Sequence, residues 1–210
     1  MKQGTATYNE KTDRQVAINN GLFNAHVIKM TSKEIRTGMF VFNFTFRLHE
    51  SNEEQIVDLF EPDKNGTVLP ILIIGKDGKS VQETAKATHM VGREIRSNGI
   101  WYHSSPAVGD GWKNAKYRNV IKNVFELDLP TKEVGGVLVE VLGELEEEDV
   151  LLKPCLVNIK TSSYLTRPKD GSAPEKKFKT EVADMLHWNG GMLDAGQLNN
   201  GGHKTEAPAF

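Results

Sequence analysis

The residues of this chain best suited to chemistry are basic and aromatic side chains that alternate over short stretches. Trp112-Lys113 and Lys116-Tyr117-Arg118 interleave cations with rings. Lysine and arginine bind phosphate groups, and exposed rings offer faces for base stacking, so this pattern is typical of single-stranded nucleic-acid recognition. For each ring the alternative is packing in the core. The candidate stacking residues outside the apparent core are Trp101, Tyr102, Trp112, Tyr117 and Tyr164.

Charge is unevenly distributed along the sequence. The 210 residues carry a net charge of −2, which argues weakly against a nucleic-acid partner. Basic residues are nevertheless concentrated in segments 112–122 and 153–179, whereas five acids crowd segment 144–149. The clustering favours a phosphate-binding surface, and a mixed, well-solvated surface is the alternative.

A Gly78-Lys79-Ser80 sequence follows an apolar run and resembles part of a P-loop. The motif requires a glycine five residues before Gly78, and Ile73 stands there. We therefore interpret the sequence as a turn and not as a nucleotide site. A P-loop-like nucleotide-binding enzyme remains the least favoured alternative.

No other chemical group forms a recognisable constellation in the sequence. Cys155 is the only cysteine, so neither an internal disulfide nor a cysteine-rich zinc site can form. The six histidines have no metal-ligand spacing, and serines and carboxylates show no catalytic pattern. We predict no catalytic residue, no metal and no cofactor, hence a protein that is not an enzyme.

The elements that must position these residues are mainly strands. The run from Gly38 to Glu50 places Phe40, Phe42, Phe44, Phe46 and Leu48 on one face, which we assign to the core. The opposite face holds Val41, Asn43, Thr45 and Arg47. A strand over 21–30 precedes it, and a polar connector over 31–37 joins the two.

Further strands are predicted over 55–61, 151–165 and 178–188, with an edge strand at 68–74. Ser80 and Glu83 form a capping box that predicts a helix to about Arg96. Residues 167–177 are a basic loop. We expect an arm at 1–18, a domain at 19–188 with an insertion at about 62–150, and a disordered tail at 189–210.

This order matches an OB-type five-stranded barrel with a long helix-containing insertion between strands 3 and 4. OB barrels bind ligands across strands 2 and 3, between the loop joining strands 1 and 2 and the loop joining strands 4 and 5. Here both loops are basic. The predicted DNA-binding residues are Lys29, Lys33, Arg36, Asn43, Arg47, Trp112, Lys113, Lys116, Tyr117, Arg118, Lys160, Tyr164, Arg167, Lys169, Lys176, Lys177 and Lys179.

The chain is similar to phage single-stranded DNA-binding proteins of the OB-fold type. The opening pair GLFNAHVIKMTSKEIRTGMFVFNFTFRL and the closing hairpin over 151–188 carry the resemblance. It implies a protein that coats single-stranded DNA without strong sequence preference during phage replication or recombination. Many relatives end in an acidic tail with a terminal phenylalanine; here Phe210 is terminal, but only Asp194 and Glu206 are acidic after residue 188.

The resemblance also implies partners among phage replication or recombination proteins, and self-association stays open. No apolar run reaches the roughly 18 residues of a membrane span, and the N-terminus lacks a signal-peptide pattern. We expect a cytoplasmic protein, in the host cell if phage-encoded. The alternative function is an accessory module that uses an OB-like barrel to bind protein.

Overall fold

The computed structural model describes residues 17–18, 21–62, 67–104, 111–166 and 176–192. These residues are mainly β-strand in antiparallel sheets, which confirms the predicted mainly β class. The strands are β1 (Ala17–Ile18), β2 (Gly21–Arg36), β3 (Met39–Leu48), β4 (Ile56–Pro62), β5 (Val68–Pro70), β6 (Leu72–Ile74), β7 (Ser80–Gln82), β8 (Thr84–Lys86), β9 (Glu94–Arg96), β10 (Ile100–His103), β11 (Thr131–Val134), β12 (Val137–Glu140), β13 (Pro154–Leu165) and β14 (Lys176–Leu186).

Short helical segments connect the strands. Helix α1 (Gly111–Asn119) continues as a π-helical segment over Val120–Val124, and α2 (Glu147–Val150) precedes β13. Turns of 3₁₀-helix lie at Glu50–Asn52 and Ala87–Met90. Among the described residues, no helix is long and apolar enough to cross a membrane.

The chain divides into two compact units. The larger unit comprises residues 20–55, 86–160 and 180–210, and the smaller unit comprises 1–19, 56–85 and 161–179. Ala17–Ile18 of the predicted arm form β1, and residues 189–192 of the predicted tail belong to the larger unit. Residues 1–16 and 193–210 lie outside the described residues.

The larger unit is built on a sheet with the order β10-β3-β2-β13-β14, and β9 also pairs with β3. Alternation on β3 buries one face as predicted: Phe42, Phe44 and Phe46 are at most 1% exposed, whereas Phe40 is half-buried. Facing side chains of β2 and β13 complete the core, namely Phe23, Ala25, Val27, Cys155, Val157 and Ile159.

The two edges of this sheet meet at one point. Ser97, between β9 and β10, forms an isolated parallel bridge with Val182 of β14, and Asn98 N donates to Val182 O at 3.2 Å. The Asn98 amide also donates to Glu181 Oε1 at 2.5 Å. These contacts join the segment between β9 and β10 to β14.

Helix α1 and the π-helical segment close one end of the core. The Tyr117 ring stacks on Phe42 at 5.1 Å and on Tyr102 at 4.9 Å. Phe125 contacts Phe44 at 5.6 Å. Both tyrosine hydroxyls donate to backbone carbonyls, of Leu142 and Gly143, so these polar groups are satisfied inside the core.

The predicted connector at 31–37 is wrong. β2 continues to Arg36, and the chain reverses in a tight turn at Thr37-Gly38, where Gly38 has φ +73°. Residues 31–36 are all exposed. An exposed strand lacks the apolar alternation that marks a half-buried one, so its sequence resembles a polar loop.

Two further expectations need correction. β4 forms where the third barrel strand was predicted, over 55–61, but it pairs with β1 and β5 in the smaller unit. β3 pairs instead with β9 and β10. The predicted helix at 80–96 is replaced by β7, β8, a 3₁₀ turn and β9. Gly78, at φ +77°, closes a β6–β7 hairpin, so Ser80 begins a strand and not a capped helix.

Candidate nucleic-acid interface

Side chains of neighbouring strands share the side of the larger unit's sheet that faces away from the core. Opposed residues in an antiparallel pair point to the same face, so the register of β2, β3, β9 and β10 defines this surface. We call it the outer face. It consists of Lys29, Thr31, Lys33, Val41, Asn43, Thr45, Arg47, Glu94, Arg96 and Trp101.

The strand register arranges the cations and the aromatic ring of the outer face in rows that run across the strands. Lys33, Val41 and Trp101 form one row. Lys29, Thr45 and Arg96 form another. From Val41 to Arg47 the face extends about 20 Å along β3 at roughly 3.3 Å per residue.

The first turn of α1 places a cation and a second aromatic ring beside Trp101. The Lys113 ammonium lies 5.9 Å from the Trp101 ring centroid and 5.8 Å from that of Trp112. Asn114 fixes α1 here, because its side-chain amide bonds both the N–H and the carbonyl of His103 at 2.8 Å. Trp101 is 37% exposed and Trp112 64% exposed. Two accessible rings thus flank one cation at the end of the outer face.

Gly99 keeps the middle of the outer face open. A Cβ atom at this position would lie 2.2 Å from Val41 Cγ2 and 3.1 Å from Asn43 Oδ1. Only glycine fits this approach without moving Val41. Glycine at this position therefore allows the segment between β9 and β10 to lie close to β3 beside Asn43.

Arg47 is held in an ion pair at the opposite end of the outer face. Its guanidinium donates to Glu94 Oε1 at 2.9 Å, and its side chain is only 22% exposed. Predicted as a phosphate ligand, Arg47 lies on the outer face as expected from strand alternation, but a carboxylate partly neutralises it.

Three predicted residues of α1 lie elsewhere. Tyr117 is 1% exposed in the core, so its ring offers no face to a base in this structure. Burial also raises the pKa of its hydroxyl. Lys116 faces Asp184 at 4.0 Å. Arg118 Nε donates to Glu140 at 2.7 Å, and hydrogen bonds from Lys122 and Arg118 lower the pKa of Glu140.

The remaining predicted residues are dispersed. Arg36 is exposed at the end of β2, and Lys160 is exposed on β13. Tyr164 and Lys179 are exposed in the smaller unit. Lys176 and Lys177 belong to β14, and only their backbone is described. Arg167 and Lys169 lie outside the described residues.

Arg96 and Glu94 are outer-face residues that the prediction missed, and Trp101 was only a stacking candidate. The period-two pattern Glu94-Ile95-Arg96, with Ile95 buried, is a strand signal. Assignment of 80–96 to a helix concealed it. The signal was therefore present in the sequence but was outweighed by the capping box.

Within the described residues, no group of three or more His, Cys, Asp or Glu side chains could hold a metal ion. Comparison of this chain with protein-family models, curated proteins and solved structures finds no match. The outer face is accordingly judged on its own geometry.

Proposed function

We propose that this protein binds single-stranded DNA across the outer face of an OB-type barrel, without strong sequence preference. The observation that carries the proposal is the register that aligns Lys33, Lys29 and Arg96 with the Trp101 ring on one surface. Single-strand binders combine a cationic track for the phosphates with aromatic platforms for the bases.

The connectivity of the larger unit supports an OB-type assignment. With β2, β3, β9–β10, β13 and β14 as strands 1 to 5, the spatial order is 3-2-1-4-5, and strands 3 and 5 meet through the parallel Ser97–Val182 bridge. Helix α1 falls between strands 3 and 4. In this assignment the outer face belongs to strands 1 to 3, and segment 167–175 joins strands 4 and 5.

The charge balance of the outer face agrees with a phosphate ligand. Its cations are Lys29, Lys33, Arg47 and Arg96, and its one acid is Glu94. Lys113 adds a fifth cation beside Trp101. This local excess contrasts with the chain's net charge of −2, and cations focused on one surface govern nucleic-acid affinity more than net charge does.

A matched pair of variants tests the proposal. Lys29→Ala with Lys33→Ala removes two cations from the outer face, whereas Lys76→Ala with Lys132→Ala removes two exposed cations elsewhere. Fluorescence anisotropy of a labelled oligo-dT should show at least about a tenfold loss of affinity for the first pair, since each lost phosphate contact is a sequence-independent electrostatic loss. Equal losses for both pairs would contradict this placement.

A protein-binding accessory role, in phage replication or recombination, is the second candidate. The β11–β12 hairpin favours it, because Val134, Val137 and Leu138 are each more than half exposed. Exposed apolar clusters of this kind mark interaction surfaces. A protein with this role alone would bind oligo-dT at neither low nor moderate salt.

A further inference from the structure

His26 lies on the same side of the sheet as the outer face, yet it is buried. It stands opposite Arg47 in the β2–β3 register, between Ala25 and Val27, whose side chains enter the core. By alternation His26 therefore points away from the core. It is nonetheless only 1% exposed.

The cover over His26 is the segment that follows β14. We call residues 187–192 the strap. Trp188 packs its ring 5.3 Å from the His26 ring and 5.1 Å from the His49 ring. The Gly191 carbonyl lies 2.8 Å from His26 Nε2. The strap thus occupies the outer side of the sheet at its Arg47 end.

The strap holds His26 incompletely. Among the described residues, His26 Nδ1 has no hydrogen-bond partner although it is buried. Burial lowers the pKa of His26, which the hydrogen bond to Gly191 only partly opposes. Because Nε2–H donates to the Gly191 carbonyl, Nδ1 of the neutral ring is a buried acceptor without a donor. A buried polar atom without a partner is unfavourable, so opening of the strap, which would admit a donor such as water, relieves this cost.

The strap is also loosely packed against the chain beneath it. A cavity of about 330 Å³ lies between strap residues, including His187 and Trp188, and the chain at Val124 and Lys153. An opening of this size removes close contacts from the strap's inner side, which lowers the cost of moving it.

We propose that a bound single strand displaces the strap, and that His26 and His49, which Trp188 covers in this structure, then form a further subsite of the outer face. The inference rests on the proposed function. The exposed imidazole N–H groups would donate hydrogen bonds to a phosphate. The subsite would take about one or two nucleotides beyond Arg47, so only strands long enough to pass Arg47 would reach it.

Two neighbouring glycines provide a matched test. A Cβ at Gly190 would lie 2.6 Å from three carbons of the Trp188 ring, whereas a Cβ at Gly191 would meet nothing within 4 Å. Gly190→Ala should therefore unseat Trp188, and Gly191→Ala should not. We expect Gly190→Ala to bind an oligo-dT of about twelve nucleotides about threefold or more tighter than Gly191→Ala, because strap opening no longer opposes binding. An oligomer of about four nucleotides should bind both variants equally.

NMR of the histidine ring protons in the wild-type protein keeps the inference testable if Gly190→Ala fails to fold. The longer oligomer should shift the His26 signal and the shorter one should leave it unchanged. Saturation with the longer oligomer without a His26 shift, or equal affinities for the two folded variants, would overturn the inference while leaving the proposed function intact. Absence of binding by the wild-type protein to either oligomer would instead overturn both.

Discussion

At the scale of single residues, the alternation on β3 separates side chains that stabilise the fold from those available for binding. Phe44 is 1% exposed and contacts the rings of Phe46 and Phe125. Phe40, four residues earlier on the same strand, is half-buried against Tyr102. The two phenylalanines therefore differ in burial more than in chemistry.

Truncation should expose this difference. Phe44→Ala opens a core cavity and should cost about 3–5 kcal/mol of unfolding free energy, whereas Phe40→Ala should cost less than half of that. Urea denaturation followed by circular dichroism measures both. A Phe44→Ala protein of undiminished stability that no longer binds oligo-dT would show that β3 presents its phenylalanines outward.

Arg47 and Glu94 test how charge on the outer face acts. Glu94→Gln removes the one acid of the outer face, so oligo-dT should bind several-fold more tightly. Arg47→Ala leaves Glu94 facing the phosphates and should weaken binding. The ion pair is partly exposed and contributes about 0–1 kcal/mol to stability, so melting temperatures should change little. A tighter-binding Arg47→Ala protein would reverse this assignment.

At the scale of elements, local patterns in the sequence predicted where strands form better than they predicted which strands pair. The phenylalanine alternation placed β3 and its buried face correctly, and the strand predicted over 151–165 contains β13. Strand pairing depends on contacts between distant residues that no local period records. β4 was therefore expected beside β3, the position that β9 and β10 occupy.

The candidate surface was predictable only in part for the same reason. Asn43 and Arg47 follow from alternation on β3. Lys29 faces outward because of the register shift between Val27 and Lys29, and Lys33 was predicted in a connector, whereas Arg96 required recognition of β9. Tyr117 illustrates the reverse error: its basic neighbours suggested a surface residue, although Phe42 and Tyr102 enclose its ring. Helical periodicity was too weak in this polar helix to reveal its buried side.

Ser97 holds the segment between β9 and β10 against β3 through two hydrogen bonds to Phe44. Its N–H donates to Phe44 O at 2.9 Å, and its hydroxyl oxygen accepts from Phe44 N at 3.0 Å. Ser97→Ala leaves a buried N–H without its acceptor and should cost about 1–3 kcal/mol. Ser32→Ala, at an exposed position of β2, is the control. Similar denaturation midpoints for the two variants would contradict a stabilising role for this contact.

At the scale of the whole molecule, a chain with a slightly negative net charge carries a locally basic surface. Five acids within residues 144–149 contribute to the net charge, and Glu147 has a structural role, since it accepts a hydrogen bond from Met30 N at 2.8 Å beside the β2 bulge. The cations of the outer face lie on β2, β3 and β9. The net charge of the whole chain therefore does not describe the charge of the outer face.

Salt-dependent binding of the wild-type protein to oligo-dT tests the central claim most directly. Tryptophan fluorescence should be quenched on binding, because Trp101 and Trp112 are exposed beside Lys113. Each phosphate contact on a single strand contributes about −0.7 to the slope of log K against log salt concentration. About four to six contacts, from the outer-face cations with Lys113, predict a slope of roughly −3 to −4. A flat salt response, or no binding at low salt, would contradict the account.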